Sequence, residues 1–341
     1  MDAVPKKHLY GIDFARIVAI LLVILQHLTV SGGLDGDGQS FPWRLGMRLV
    51  ESMAQPCVDL FALISGYVCL NARWRPLRYF GLWLQVVFTS AVIVAAVSCV
   101  ADGSMASEWA KVPLPVFNDT YWYFTGYTVV FLLMPLLNWL MKRPFAPFVA
   151  FGVVAVVSVL QAFGADGLLK VFNNGYSSAW LVLLYLVGAG LKSVDSKLPR
   201  SPLPYFALAL CCLAGTMGQR LAVGYFEWTL FSFVSPTNTV AAAALLLGLL
   251  RLPEPRRFTG LVRALSGAAF GVYLWHVHPL FFTHFWRESF VFFKRVPGWA
   301  CAPAVIATAV VIFMALAVLE LLRIRLFARC LSKVNAHGIA Q

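Results

Sequence analysis

Polar residues in this chain come in short bursts, separated by apolar stretches close to the length of one bilayer crossing, roughly 20 residues at a rise of about 1.5 Å each. The pattern predicts ten helices, near residues 11–30, 48–70, 79–100, 121–141, 147–163, 178–192, 203–221, 236–250, 267–286 and 299–322. The fifth, sixth and eighth are the shortest. The expected fold is therefore all-α, a polytopic transmembrane helical bundle of about ten spans that forms a single membrane domain over residues 1–341. No long linker, low-complexity stretch or internal repeat interrupts it. The first apolar run contains Asp13 and Arg16 and lacks a small-residue cleavage motif, so it reads as a membrane helix and not as a removable signal peptide.

Composition agrees with the pattern. Of 341 residues, 60% are hydrophobic and 12% charged, and mean hydropathy is +0.77, whereas a soluble domain carries about 25% charged residues. A soluble globular protein, a disordered chain, a disulfide scaffold and a nucleic-acid-binding module are all excluded. The formal net charge of +12 identifies no ligand by itself, because Lys and Arg accumulate on the cytoplasmic side of any membrane protein. With the N-terminus inside, 18 basic residues, from Lys6 and Lys7 to Lys333, fall in segments on one side and 8 on the other, with Arg16 within a span. That split and the even span number predict that both termini are cytoplasmic. The seven cysteines lie mostly within apolar runs and show no CxxC spacing, so they read as small hydrophobes, with no metal site and no disulfide framework.

Ionisable groups inside spans are expensive and point to a protein interior or a water-filled cavity. The first span places Asp13, Arg16 and His27 in an otherwise apolar helix. Eleven residues from Arg16 to His27 turn the helix by about 1,100°, some 20° beyond three full turns, and raise it by about 16 Å, so both side chains share nearly one face. Asp13, one turn before Arg16, is placed to pair with it. The second span contains Asp59 and the run Phe61-Ala62-Leu63-Ile64-Ser65-Gly66-Tyr67, in which Ser65 and Gly66 permit close helix approach. The ninth carries Phe270-Gly271-Val272-Tyr273-Leu274-Trp275-His276-Val277-His278-Pro279. Its two histidines lie on different sides of a helix, which makes a poor metal chelate, and His276 is the better candidate for the interior. Each of these groups also has a purely structural reading as an interhelical hydrogen bond.

Three of these segments together resemble the acyltransferase 3 family of integral membrane acyltransferases. Arg16 and His27 match that family's first-helix Arg-x10-His motif, Asp59 to Tyr67 its Phe-x-x-x-Ser-Gly-Tyr segment, and Phe270 to Pro279 its late Gly-(Val or Ile)-Tyr-Leu-Ile-His block. Their order and spacing also agree along nearly the whole chain. Trp275 stands where an aliphatic residue is usual, and Thr120-Tyr121-Trp122-Tyr123 replaces the His-Leu-Trp-Phe type of segment often seen at the fourth helix, which leaves no histidine there.

The resemblance implies transfer of an acyl group, commonly acetyl from acetyl-CoA, to a hydroxyl of a cell-surface polysaccharide or lipid-linked sugar at a bacterial inner membrane. His27 would be the general base, since a sugar hydroxyl is a weak nucleophile until it loses its proton and imidazole suits that task near neutral pH. Arg16, supported by Asp13, would anchor the donor, with Arg75 and Arg78 binding CoA phosphates and Ser65, Tyr67, His276, Trp122 and Tyr123 lining the site. Acyl-CoA enters as a co-substrate, with no permanently bound cofactor; the other partners are the glycan acceptor and the lipid bilayer. Trp43, Arg48, Glu51, Trp109, Tyr121, Trp122, Tyr123, Trp228, Trp286, Arg287 and Glu288 mark the expected outer rim, where stacking on sugars and an ordinary interfacial belt look alike. The alternative is a secondary transporter in which Asp13, Arg16, His27, Asp59 and Glu320 form a charged pathway; a flippase or assembly partner without catalysis is a third reading.

Overall fold

The computed structural model describes residues 8–34, 39–101, 104–165, 167, 169–223 and 230–338, with side chains as far as Arg329 except that of Val223. Lys6, Lys7 and Trp228, and the side chains of Cys330 and Lys333, lie outside these. Among the described residues there is no strand. The α-helices are α1 (Tyr10–Val30), α2 (Phe41–Ala54), α3 (Cys57–Cys69), α4 (Pro76–Ser98), α5 (Ala106–Lys111), α6 (Trp122–Leu140), α7 (Ala146–Ala162), α8 (Ser178–Val194), α9 (Leu203–Val223), α10 (Pro236–Leu250), α11 (Thr259–Val277), α12 (Pro279–Phe281) and α13 (Gly298–Gly338).

Each of the ten expected helices has a counterpart, and three differ in extent, the last of them, α13, running past its expected end at 322 to Gly338. The second expected span begins seven residues earlier and is stepped at Gln55-Pro56, so α2 and α3 together run from Phe41 to Cys69. Proline supplies no N–H to the ladder and breaks it there. The ninth begins at Thr259 and ends at Val277, because Pro279 pushes His278 into extended backbone at ψ 132°. Among the described residues, six segments are long and apolar enough to cross a membrane: Tyr10–Val30, Phe41–Cys69, Pro76–Ser98, Trp122–Leu140, Ser178–Lys197 and Gly298–Arg329. The apolar helices α7 and α10 are shorter, while α9 carries Gln219 and Arg220 and α11 carries Arg263 and His276.

Close helix crossings set the scaffold. A methyl group at Gly66 of α3 would stand 2.0 Å from the Tyr185 carbonyl oxygen of α8, and one at Gly188 of α8 would stand 2.2 Å from that of Leu63 in α3. Each glycine therefore receives the other helix's backbone, as small residues do in membrane interiors. At Gly271 of α11 the space a Cβ would fill is taken by the Glu320 carboxyl group of α13. Glu320 is fully buried and accepts hydrogen bonds from Gln85 of α4 (3.0 Å), Trp275 of α11 (3.4 Å) and Arg323 (2.5 and 2.9 Å). Trp275, the residue that departs from the aliphatic pattern, thus supplies a donor to a buried carboxylate.

A candidate active site on one face of the first helix

A cavity of about 520 Å³ runs along α1, walled by α1, α3, α6 and α11. From α1 it is lined by Arg16, Val23, Gln26, His27 and Val30, extending to Ser31, a rise of roughly 22 Å between the outermost two. The α3 wall (Cys57, Val58, Phe61, Ile64, Ser65, Val68 and Cys69) repeats every three or four residues, as one helical face requires. The α11 wall does the same with Ser266, Gly267, Ala269, Phe270, Tyr273 and Val277. Trp122, Tyr123, Phe124 and Tyr127 close the α6 side, and Phe282 packs beside His27.

Arg16 and His27 share this cavity, as their spacing predicts. Arg16 is half-buried and makes no ion pair or hydrogen bond among the described residues; Cys69 and Tyr127 stand within range of its charge. Asp13 does not pair with it. Its carboxylate instead takes the Ser266 hydroxyl (2.7 Å) on one oxygen and His8 Nε2 (2.5 Å) on the other, so the tertiary partner on α11 outcompetes the one-turn neighbour. A carboxylate in the first turn of α1 also complements the helix dipole.

At the other end, His27 lies against the rings of His276 (5.3 Å between centroids), Phe282 (5.2 Å) and Trp286 (6.4 Å). Its Nδ1 is buried without a hydrogen-bond partner. The chain after α11 builds this wall. Pro279 has no N–H to give, and the Leu280 N–H bonds to His278 Nδ1, so the His276 carbonyl is left free and is taken by Trp286 Nε1 at 2.8 Å. A single turn of π-helix, Phe282–Trp286, carries both aromatic rings onto His27. The loop beyond it is tied to the end of α1 by Phe290 N–H on the Gly32 carbonyl at 3.3 Å.

A family model describing an acyltransferase domain matches residues 9–318. The chain belongs to the acyltransferase 3 family. It is a multi-pass membrane acyltransferase. Comparisons with curated proteins and with solved structures found no match.

In this acyltransferase, three further positions singled out from sequence, Ser65, Trp122 and Tyr123, line the cavity with Arg16 and His27. Others stand elsewhere. Tyr67 is turned away: Lys192 sits 4.6 Å from its ring centre and Asp195 is within hydrogen-bonding reach of its hydroxyl, while Asp195 pairs with Arg251 at 2.8 Å. It belongs to a lock at one end of the bundle. His276 is fully buried behind His27 and is not part of the cavity wall. Arg75 and Arg78 are exposed at the start of α4, with Arg78 in electrostatic range of the cavity residue Cys69.

The expected aromatic rim is largely interior: Trp43, Tyr121 and Trp286 are buried, and Glu51 forms a buried ion pair with Arg220. Asp59 is fully buried between Trp180 Nε1 (3.1 Å) and Asn238 Nδ2 (3.0 Å). Asp13, Asp59 and Glu320 are not among the residues that line the cavity shared by Arg16 and His27.

Several cavity residues escaped the sequence reading: Gln26, Cys57, Phe61, Tyr127, Tyr176 and Phe233. Phe61 opens a quoted motif and Tyr127 lies one turn after Tyr123, so helical periodicity held their signal. Tyr176 follows Asn173-Asn174-Gly175, three residues with left-handed φ of 45°, 52° and 98°. The ring of Tyr176 stands 5.0 Å from those of both Trp122 and Phe233. An Asn-Asn-Gly run is a turn signal, and turns carry functional side chains.

Proposed function

We propose that this acyltransferase moves an acetyl group from acetyl-CoA to a hydroxyl of a cell-surface polysaccharide or lipid-linked sugar at a bacterial inner membrane, with His27 as general base. The observation that carries the reading is one cavity with an unpaired guanidinium at one end and a partnerless imidazole about 16 Å along the same helix. A half-buried arginine without a carboxylate favours an anionic ligand, and its planar fork suits phosphate oxygens. The extended pantetheine arm of CoA is about as long as the rise from Arg16 to His27. A donor with its phosphates near Arg16, and near Arg75 and Arg78 outside, presents its thioester to His27.

Chemistry then follows from position. His27 takes the proton of the acceptor hydroxyl, the freed oxygen attacks the thioester carbonyl, the C–S bond breaks, and the thiolate leaves as CoA-SH with the proton held by His27. Trp122, Tyr123 and Tyr176 supply flat faces for a sugar. Ten spans with both termini in the cytoplasm would put the donor on the inside and His27 toward the outer face.

The test is direct. Purified protein in nanodiscs, given acetyl-CoA and lipid-linked glycan extracted from the host membrane, should release free CoA and transfer labelled acetyl to the glycan. Failure to release CoA from any acyl-CoA, with or without acceptor, would overturn the donor assignment.

A further inference from the structure

His276 and His27 each hold a nitrogen that the fold leaves unanswered. His276 is fully buried, and its Nδ1 lies 2.6 Å from the Val272 carbonyl oxygen. A carbonyl only accepts, so that nitrogen carries the hydrogen, and the neutral ring bears its lone pair on Nε2. His276 Nε2 has no partner, and neither has His27 Nδ1; both atoms are buried. The ring centroids are 5.3 Å apart. Less a ring radius on each side, that leaves about 3 Å along the line of centres, the length of one N–H···N hydrogen bond, and a turn of the His27 ring about its soft χ2 torsion aligns it while His276 keeps its bond to Val272.

We infer that His276 is a positioning residue for His27: its Nε2 accepts a hydrogen bond from His27 Nδ1–H and so holds the tautomer whose Nε2 lone pair faces the cavity. This rests on the reading of His27 as the base. A base working from Nε2 must carry its hydrogen on Nδ1, and without an acceptor behind it nothing in the site would favour that tautomer. His276 is itself well anchored, with Nδ1–H on Val272 and its carbonyl held by Trp286. In the reaction, His27 Nε2 gains the acceptor's proton and passes it to the departing thiolate. The Nδ1–H bond to His276 stays in place throughout, and no proton moves to His276.

The experiment reads the tautomer and the turnover separately. In protein labelled with ¹⁵N-histidine, the His27 resonances, assigned by their loss in His27→Ala, should report hydrogen on Nδ1. His276→Leu should shift His27 toward the Nε2–H form and lower kcat at least tenfold with the KM for acetyl-CoA unchanged. His276→Gln, whose amide oxygen restores an acceptor, should recover part of both. A wild-type His27 protonated on Nε2 would overturn the inference without any variant, as would a tautomer that does not change in a folded His276→Leu protein. If no protein transfers acetyl and yet the tautomer follows His276, the positioning stands and the base assignment falls. If acetyl transfer is robust and His276→Leu matches wild type in tautomer and kcat, the positioning falls and the acyltransferase reading stands.

Discussion

Arg16 and His27 lie eleven residues apart on one unbroken helix and open onto the same cavity. Apart from the bond inferred to His276, the His27 imidazole has no hydrogen-bond partner on its buried Nδ1. His27→Ala should therefore lower acetyl transfer by about 10²- to 10⁴-fold, the usual contribution of a positioned acid–base group, while thermal unfolding in detergent stays within a few degrees of wild type. Parallel losses of turnover and of stability would mean that His27 is a packing residue.

Arg16→Lys keeps the charge and loses the fork. A charge-assisted hydrogen bond contributes about 1.5–3 kcal/mol, so the KM for acyl-CoA should rise by roughly ten- to a hundredfold. Arg75→Lys and Arg78→Lys, at exposed positions, should give smaller effects that fade as salt is raised. Unchanged donor affinity in all three would move the donor site away from this end of the cavity.

Glycines divide by what surrounds them. Gly66→Ala forces its methyl group into the Tyr185 carbonyl and should destabilise the protein by about 1–3 kcal/mol, the usual range for overpacking. Gly152→Ala in α7 meets nothing within 4 Å and should be neutral or stabilising by up to about 1 kcal/mol through helix propensity. Thermal melts of the two variants in one detergent check the contrast.

Asp59 is held by neutral donors on α8 and α10. Asp59→Asn turns an acceptor toward a donor, and leaving one buried donor unpaired costs about 1–3 kcal/mol. The loss should appear in thermal unfolding, with the KM for acetyl-CoA unchanged. A specific rise in that KM without loss of stability would instead bring Asp59 into the donor site.

Oriented vesicles test the topology. Acetyl-CoA supplied on the side of the N-terminus should support modification of an acceptor confined to the opposite lumen, because only the thin pantetheine arm need enter the bundle. A requirement for both substrates on one side would rule out transfer across the membrane.

The helices were legible because burial in lipid demands long apolar runs, and the Arg16–His27 face followed from helical pitch alone. Local spacing misled where tertiary partners were stronger. Asp13 is at ion-pairing distance in sequence from Arg16, yet Ser266 and His8 claim it. Tyr67 shares a motif with Ser65 but lies two positions on, about 200° around the helix, and so falls in the lock with Lys192 and Asp195. Tyr176 and Phe233 come from connecting segments, where no periodicity marks which side chain turns inward.

The left-handed turn at Asn173, Asn174 and Gly175 also constrains how this enzyme can diverge. Side chains larger than glycine rarely tolerate positive φ, asparagine being the usual exception, and a Cβ at Gly175 would fall 2.4 Å from that of Phe233. Mutational drift in the turn is thereby closed off, and the bend keeps delivering whatever follows it to the same place. The aromatic positions around it, Trp122, Tyr176 and Phe233, carry no such backbone restriction. Lineages that come to modify different acceptors should therefore vary in those rings and keep the bend, a signature readable from sequences alone.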